Sequence, residues 1–94
     1  MADVRLVFRV HAIQRMFLRS ISAEDVRDVL ETGEIILEYP EDQPYPSRLV
    51  LGWSGSQPIH LVVADNVDEQ VIIVITVYRP DPGQWDTDFR RKRA

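Results

Sequence analysis

The spacing of apolar residues changes at Gly33, and this change limits what the chain can fold into. Before it, apolar residues recur three and four positions apart, as at Ala12, Ile13, Met16 and Phe17, which is the period of an α-helix. After it, β-branched and aromatic residues form short runs between Pro, Gly and Asn, which is typical of strands joined by turns. Because 94 residues make only one domain, helices and strands must share one core.

Two helices are predicted in the first third of the chain. The first runs from about Val10 to Arg19 and the second from Ala23 to Thr32. Ser22 and Asp25 have the spacing of a capping box, with Asp in place of the usual Glu, so the start of the second helix is well defined. Gly33 stands where a helix commonly ends in a left-handed residue, which predicts a glycine C-cap there.

Four strands are predicted after the helices. They lie near Glu34 to Tyr39, Arg48 to Trp53, Ile59 to Ala64 and Val71 to Tyr78. Their linkers are short enough for antiparallel neighbours, and the last strand is apolar on both faces, which favours a position between two others. Val4 to Phe8 is expected to be a short extended segment, and Gln84 to Phe89 a short turn or helix. The sequence therefore predicts an α+β domain in which two N-terminal helices pack on a four-stranded antiparallel sheet whose other face is open to solvent.

The composition excludes several classes of protein. The absence of cysteine excludes disulfide frameworks, thiolate zinc sites and Cys nucleophiles. The apolar runs are far shorter than a membrane span, so we expect a cytoplasmic protein without a membrane partner. Only two histidines are present, at spacings that do not suit a metal, and a domain of this size has little room for a cofactor beside its core. We expect neither metal nor cofactor.

The charge distribution is more informative than the net charge of −4. Residues 34–47 carry four acidic groups and no basic one, whereas the chain ends in a basic tail, from about position 87, that includes Arg90 to Arg93. Such a tail is either solvated or an arm for RNA or an acidic partner. Trp53, Trp85 and Phe89 could stack on bases, or the tryptophans could anchor the edge of the core.

Three cationic side chains recur every four residues on the first helix. His11, Arg15 and Arg19 fall within about 80° of one another around the helix axis. This stripe could clamp a phosphate, since Arg offers a bidentate fork and His can donate a proton near neutral pH. Alternatively, the arginines form ion pairs with acidic residues of the second helix, namely Glu24, Asp28 or Glu31.

The last two strands bring a histidine and a tyrosine together. A turn near Val67 to Glu69 places His60 opposite Thr76 or Tyr78, and in either register His60 and Tyr78 lie on the same face. A His and a Tyr on an open sheet face could act as an acid and base pair. The alternative is an aromatic pair that is packed for stability.

Several stretches together resemble a bacterial family known as domain of unknown function 4258. They are HAIQRMFLRSIS at 11–22, EDVRDVLETGEII at 24–36, YPEDQPYPSRLVLGW at 39–53, IHLVV at 59–63 and IVITVYRPDPGQWD at 73–86. That family is similar to the RelE-type toxin superfamily, small α+β domains that include mRNA endonucleases. The resemblance implies a toxin-like ribonuclease and, as its partner, a small zinc-finger or helix-turn-helix antitoxin.

The same resemblance implies which residues form the site. His11, Arg15 and Arg19 match the HA..RM..R pattern of the family, Tyr39 its YP pattern, His60 its strand histidine and Tyr78 its TVY pattern.

A ribonuclease that works without a metal needs a base for the 2′-hydroxyl, an acid for the leaving oxygen and cations for the phosphate. In this hypothesis His60 is the base or acid, and Tyr78 or His11 is its counterpart. Arg15 and Arg19 hold the phosphate, helped by Arg48 or Arg79. It requires these groups, drawn from the first helix and the last hairpin, to meet at one solvent-open spot. The competing hypothesis is a binding protein that kept the scaffold without the chemistry.

Overall fold

Five strands form one mixed sheet, and both helices pack on the same face of it. The computed structural model describes residues 4–93, with the elements β1 (Arg5–Phe8), α1 (Val10–Arg19), α2 (Ala23–Thr32), β2 (Glu34–Tyr39), β3 (Ser47–Ser54), β4 (Gln57–Asn66) and β5 (Val71–Tyr78). The strand order is β1-β5-β4-β3-β2. α1 packs mainly on β5 and α2 on β3. The α+β class is as predicted, and within residues 4–93 neither helix has the length and apolar content to cross a membrane.

The prediction of four antiparallel strands behind two N-terminal helices is wrong in one element. The segment expected to be merely extended forms β1, so a strand precedes the helices. It pairs in parallel with β5, from Arg5 opposite Val71 to Phe8 opposite Val74. A four-residue strand gives little periodicity, and its partner is almost at the other end of the chain, so no local pattern reveals the pairing. β5 is flanked by β1 and β4, in keeping with its two apolar faces.

The start of α2 is built as the sequence predicts. The backbone N–H of Asp25 donates to Oγ of Ser22, and the backbone N–H of Ser22 donates to Oδ2 of Asp25, each at 3.0 Å. The bond from the Ser22 backbone lowers the pKa of the Asp25 carboxyl. Two donors that the first turn would otherwise leave unpaired are thereby satisfied.

Gly33 ends α2 for a different reason from the one predicted. Its φ is −77°, so the predicted left-handed cap is absent. A Cβ at this position would lie 2.4 Å from the carbonyl oxygen of Val29 and 2.6 Å from that of Leu51. Gly52 is equally constrained, because a Cβ there would lie 2.6 Å from Cγ1 of Val29. The two glycines let α2 lie unusually close to β3.

The core fills the space between the helices and the sheet. Its buried members alternate along β4, as one-sided burial requires, whereas in β5 they are three residues apart because the pairing of β4 with β5 has a register shift between Val62 and Val63. The buried members of the core are Ala12, Ile21, Val26, Val29, Val50, Ile59, Leu61, Val63, Val74 and Val77.

The other face of the sheet is only partly open, which corrects the prediction that it faces solvent. The chain after β5 folds back over this face, where Trp85 is buried. The returning segment is held by a bridge between Trp85 and Lys92 and by a bond of 2.8 Å from the N–H of Arg93 to the carbonyl oxygen of Gln84. Residues 84–89 form turns rather than a helix, and the basic residues are therefore positioned beside the sheet.

Candidate functional site

His60 lies at the centre of the sheet face that the C-terminal segment covers. It pairs directly with Tyr78, one of the two predicted registers. Its side chain has no solvent exposure. The imidazole meets the rings of Tyr78 and Trp85 edge to face, with centroid distances of 5.2 and 4.5 Å. The expectation that this histidine stands on an open face is therefore wrong, and the cause is the covering segment.

Both ring nitrogens of His60 have a hydrogen-bond partner. Nε2 lies 2.9 Å from the carbonyl oxygen of Phe89, and Nδ1 lies 3.1 Å from the hydroxyl oxygen of Tyr78. A carbonyl can only accept, so Nε2 carries the proton and donates it to Phe89. In the neutral ring Nδ1 is then an acceptor, and the hydroxyl of Tyr78 donates to it. The chain of bonds runs from phenol to imidazole to carbonyl.

Burial shifts the pKa values of this pair in opposite directions. The pKa of His60 is lowered by desolvation, which outweighs the opposing effect of the Phe89 carbonyl. The pKa of Tyr78 is raised by desolvation and, to a smaller extent, by the proximity of Tyr39. Near neutral pH both groups are uncharged, and the phenol holds its proton against the imidazole.

Tyr78 lines a groove between β2 and the C-terminal segment. The groove has a volume of about 650 Å³. Its lining combines apolar side chains of the sheet, two phenols and a row of cations. The lining residues are Glu34, Ile35, Ile36, Leu37, Tyr39, Leu49, Tyr78, Trp85, Arg90, Arg91 and Lys92.

The charged residues of the groove leave a positive surplus. Arg90 is occupied by Glu34, with Nη2 at 2.5 Å and Nε at 2.7 Å from Oε1. Arg91 and Lys92 lie on the same wall, so the four charged side chains of the lining sum to +2. The ammonium of Lys92 is 5.8 Å from the centroid of Trp85. Within residues 4–93, no three His, Asp or Glu side chains are grouped to hold a metal ion.

The predicted site residues of the first helix do not reach this groove. Arg15 and Arg19 are exposed on α1, which packs on the opposite face of the sheet from Tyr78. His11 lines a separate cavity of about 480 Å³ beside Arg9 and Tyr45. The expected meeting of these groups at one spot is therefore wrong. Arg15 and Arg19 belong to a helix that packs on the face opposite Tyr78, and the cavity at His11 is lined by Ala64 and Ile73 of the last hairpin rather than by His60 or Tyr78. Within residues 4–93, the alternative ion pairs between these arginines and the acids of α2 are absent as well.

The two further arginines expected to assist have structural partners. Arg48 forms an ion pair with Asp65 across β3 and β4. Arg79 donates from Nη2 to the carbonyl oxygen of Arg19 at 3.3 Å, and its Nη1 is buried without a hydrogen-bond partner in the described structure. Neither side chain lines the groove. Of the predicted residues, the structure brings together His60, Tyr78 and Tyr39.

The sequence analysis missed the contribution of the C-terminal segment. The carbonyl of Phe89 fixes the tautomer of His60, and Trp85 seals it from water. Phe89 was considered only for stacking on bases, whereas for Trp85 the structure confirms the alternative of an anchor at the edge of the core. Arg91 and Lys92 were noted only as part of a tail. Trp85 and Phe89 are four residues apart in an otherwise polar stretch, and this pattern could have indicated a segment that packs on the sheet.

One comparison with known proteins gives a match. The model of a family described as Domain of unknown function (DUF4258) matches residues 8–79. No curated protein matches the chain, and no solved structure does. The matched range contains His60 and Tyr78 but ends before Trp85 and the cations of the groove, so the family match covers both helices and strands β2 to β5 and not the segment that completes the site.

Proposed function

The chain belongs to the family described as Domain of unknown function (DUF4258), and from this premise we propose that it is a metal-independent endoribonuclease of the RelE type, the toxin of a toxin–antitoxin pair that acts on mRNA. The observation that carries the proposal is the bond between Tyr78 and His60 beside a groove with surplus positive charge. A single RNA strand is the substrate that suits cations on one wall and exposed ring faces on the other.

The side chains that could contact an RNA strand differ along the groove. Arg91 and Lys92 would bind phosphate oxygens, because Glu34 already neutralises Arg90. Tyr39, partly exposed on β2, would stack on a base. Although the whole chain is acidic, the local surplus attracts the phosphates, since fields at this distance are set by nearby charges.

The chemistry would begin at Tyr78, which is the member of the pair that lines the groove. The 2′-hydroxyl oxygen attacks the adjacent phosphorus while its proton passes to the Tyr78 oxygen, and the proton of Tyr78 passes to Nδ1 of His60. The bond from phosphorus to the 5′-oxygen breaks, and the leaving oxygen takes a proton from water. The products are a 2′,3′-cyclic phosphate and a 5′-hydroxyl. The hydroxide left from that water then takes the extra proton of His60 back through Tyr78.

His60 is a positioning and relay residue in this scheme, because it does not touch the substrate. Burial opposes the imidazolium that forms briefly at His60. The carbonyl of Phe89 offsets part of this penalty, because it accepts a hydrogen bond from Nε2 in both the neutral and the protonated ring. The hydrogen bonds follow the order of a catalytic triad, because a hydroxyl donates to the histidine and the histidine donates to an acceptor that orients its ring.

The test is cleavage of a single-stranded RNA in the presence of a chelator. Tyr78→Phe keeps the ring and removes only the hydroxyl, and it should slow the formation of cyclic phosphate ends by about 100-fold or more. Tyr45→Phe is the matched control, because it removes a phenol hydroxyl that bonds Asn66 away from the groove. Undiminished cleavage by the Tyr78→Phe protein, with its fold intact by circular dichroism, would reject the mechanism.

A non-catalytic protein-binding module is the second candidate. The observation in its favour is that His60 is sealed, neutral and bonded at both nitrogens, as a purely structural histidine would be. Under this reading the native protein itself leaves RNA intact, whereas Tyr78→Phe lowers only its melting temperature.

The proposed antitoxin is a small zinc-finger or helix-turn-helix protein encoded next to this chain. Expression of the chain alone should arrest growth and deplete mRNA, and co-expression of the neighbour should restore both. Growth arrest that persists in the Tyr78→Phe protein would separate toxicity from RNA cleavage.

A further inference from the structure

The cavity beside His11 lies on the same sheet face as the groove and shares no lining residue with it. Its floor is formed by Ala64 of β4 and by Ile73 and Ile75 of β5. Ala64 is an even number of residues from His60 along β4, so both side chains point to the same face, about 13 Å apart. The cavity volume of about 480 Å³ lies within the range of about 300–1,000 Å³ that is typical of small-molecule sites.

Hydrogen bonds hold the walls of this cavity in place. The hydroxyl of Tyr45 accepts a bond of 2.9 Å from Nδ2 of Asn66. Oγ of Ser47 donates to Oδ2 of Asp42, and Ser47 is itself buried beside the floor, where it pairs with Ala64. The ring of Tyr45 and the carboxylate of Asp42 are therefore oriented before a ligand arrives, which lowers the entropic cost of binding.

Two opposite rims of the cavity differ in chemistry. Arg9 supplies a guanidinium and His11 an imidazole at one rim, and Asp42 supplies a carboxylate at the other. The backbone N–H of Arg9 donates to the carbonyl oxygen of Val74 on β5, whereas Asp42 is bonded to Ser47 on β3. Because β4 lies between these strands, the two anchors are two strand spacings apart, about 10 Å. This separation is close to that between the base edge and the phosphate of one nucleotide.

The carboxylate of Asp42 decides which ligands fit. A carboxylate can only accept hydrogen bonds, so the group that meets it must donate. An aliphatic anion such as a fatty acid has no donor there and would leave the carboxylate facing an apolar chain.

Guanine is the base whose edge suits this rim. Its N1–H and its N2 amino group are adjacent donors that match the two oxygens of the Asp42 carboxylate, as the paired donors of a guanidinium do. Each carboxylate oxygen can accept more than one bond, so the bond from Ser47 leaves this capacity free. Adenine, cytosine and uracil present a single donor group on the same edge. The amide of Gln43 can donate to O6 of guanine, and the ring of Tyr45 can stack on its plane.

We propose that this cavity binds a guanine nucleotide, with the base edge on Asp42, the base plane on Tyr45 and the phosphate on Arg9 and His11. The nucleotide is either free or one unit of an RNA strand whose next units lie in the groove. Only the second source rests on the proposed function, since the cavity can select guanine whether or not RNA is cleaved.

The test is the binding of guanosine 5′-monophosphate to the native protein, measured by isothermal titration calorimetry in the presence of a chelator. We expect it to bind at least about tenfold more tightly than adenosine 5′-monophosphate, because adenine offers the carboxylate one donor group fewer. Asp42→Asn keeps an oxygen for Ser47 but removes the charge, and it should weaken binding of guanosine 5′-monophosphate by about tenfold or more. Glu41→Gln is the matched control, because Glu41 is an exposed acid of the same loop that does not line the cavity.

Arg9→Ala tests the other end of the ligand. It should weaken binding of guanosine 5′-monophosphate but leave binding of guanosine, which has no phosphate, unchanged. Arg5→Ala removes an exposed arginine outside the cavity and should change neither.

Three results would overturn the proposal. One is equal affinity of the native protein for the guanine and adenine nucleotides. Another is native-like nucleotide binding by an Asp42→Asn protein whose thermal unfolding is also native-like. The third is displacement of the nucleotide by an equal concentration of free arginine, which would assign the cavity to an amino acid.

A pair of single-stranded RNAs identifies the source of the nucleotide. If the strand supplies it, replacing the one guanine of the RNA by adenine weakens binding to the native protein but not to the Asp42→Asn protein. If the nucleotide is free, both RNAs bind equally while guanosine 5′-monophosphate still binds selectively. Selective nucleotide binding without RNA cleavage would reject the ribonuclease alone, and RNA cleavage without nucleotide selectivity would reject this site alone.

Discussion

At His60 one residue is shared by three parts of the chain. β4 supplies the imidazole, β5 supplies the phenol that donates to Nδ1, and the C-terminal segment supplies the carbonyl of Phe89. No apolar residue of similar size could satisfy both partners, and a buried acceptor or donor left alone costs about 1–3 kcal/mol. The requirement for an imidazole therefore exists in the fold before any chemistry is considered.

The lowered pKa of His60 predicts how stability depends on pH. Above about pH 6.5 the imidazole is neutral in both the folded and unfolded chain. Below about pH 6.5 the imidazole binds a proton in the unfolded chain but stays neutral in the folded chain. The free energy of unfolding should therefore fall as the pH falls from 6.5 towards the lowered pKa of His60 in the folded chain. The slope should reach at most about 1.4 kcal/mol per pH unit, measured by urea unfolding between about pH 5 and 7.5.

Two substitutions check the source of this pH dependence. His60→Gln should remove it, at the expense of a lower stability overall. His11→Gln should retain it, since His11 is exposed on α1. A pH profile that survives in the His60→Gln protein would assign the effect to other groups.

At the scale of elements, the junction between α2 and β2 is held by close backbone contact. A methyl group at Gly33 would meet two carbonyl oxygens, which are backbone atoms and cannot rotate away. We expect Gly33→Ala to lower the free energy of unfolding by about 1–3 kcal/mol. Gly83→Ala is the matched control, because its new methyl group would meet only the carboxylate of Asp81 at 3.3 Å. Equal stability of the two variants in thermal unfolding would contradict the packing argument.

The same junction shows what the sequence could and could not predict. β2 to β5 and both helices follow from local apolar spacing, and the capping box at Ser22 fixes where α2 begins. Gly33 was placed correctly but for the wrong reason, because a close approach of two elements leaves no local pattern. β1 escaped prediction likewise, since its hydrogen bonds go to a strand far along the chain. Of the site, the register that joins His60 to Tyr78 was predictable, and the segment that covers them was not.

At the scale of the whole molecule, different parts of the chain cover the two faces of the sheet. The helices cover one face, and residues 81–93 cover the middle of the other with Trp85. Trp85→Ala should therefore lower the free energy of unfolding by about 3–5 kcal/mol and admit water to His60. In the folded variant the pKa of His60 should move back up towards 6.5, which an NMR titration of the ring protons would show. An unchanged pKa would mean that Trp85 is not what keeps water out.

Each face of the sheet carries a pair of exposed cations, and substitution of one pair at a time tests which face binds RNA. If the groove holds the strand, Arg91→Ala with Lys92→Ala should remove about two phosphate contacts, so that the slope of log Kd against log salt falls by about 1.4. Arg15→Ala with Arg19→Ala changes the net charge equally but lies on α1, across the sheet from the groove. Salt screens charges beyond about 8 Å at physiological ionic strength, so this second pair should leave the slope unchanged. The opposite result would place the RNA-binding site on α1, as the cationic stripe of His11, Arg15 and Arg19 first suggested.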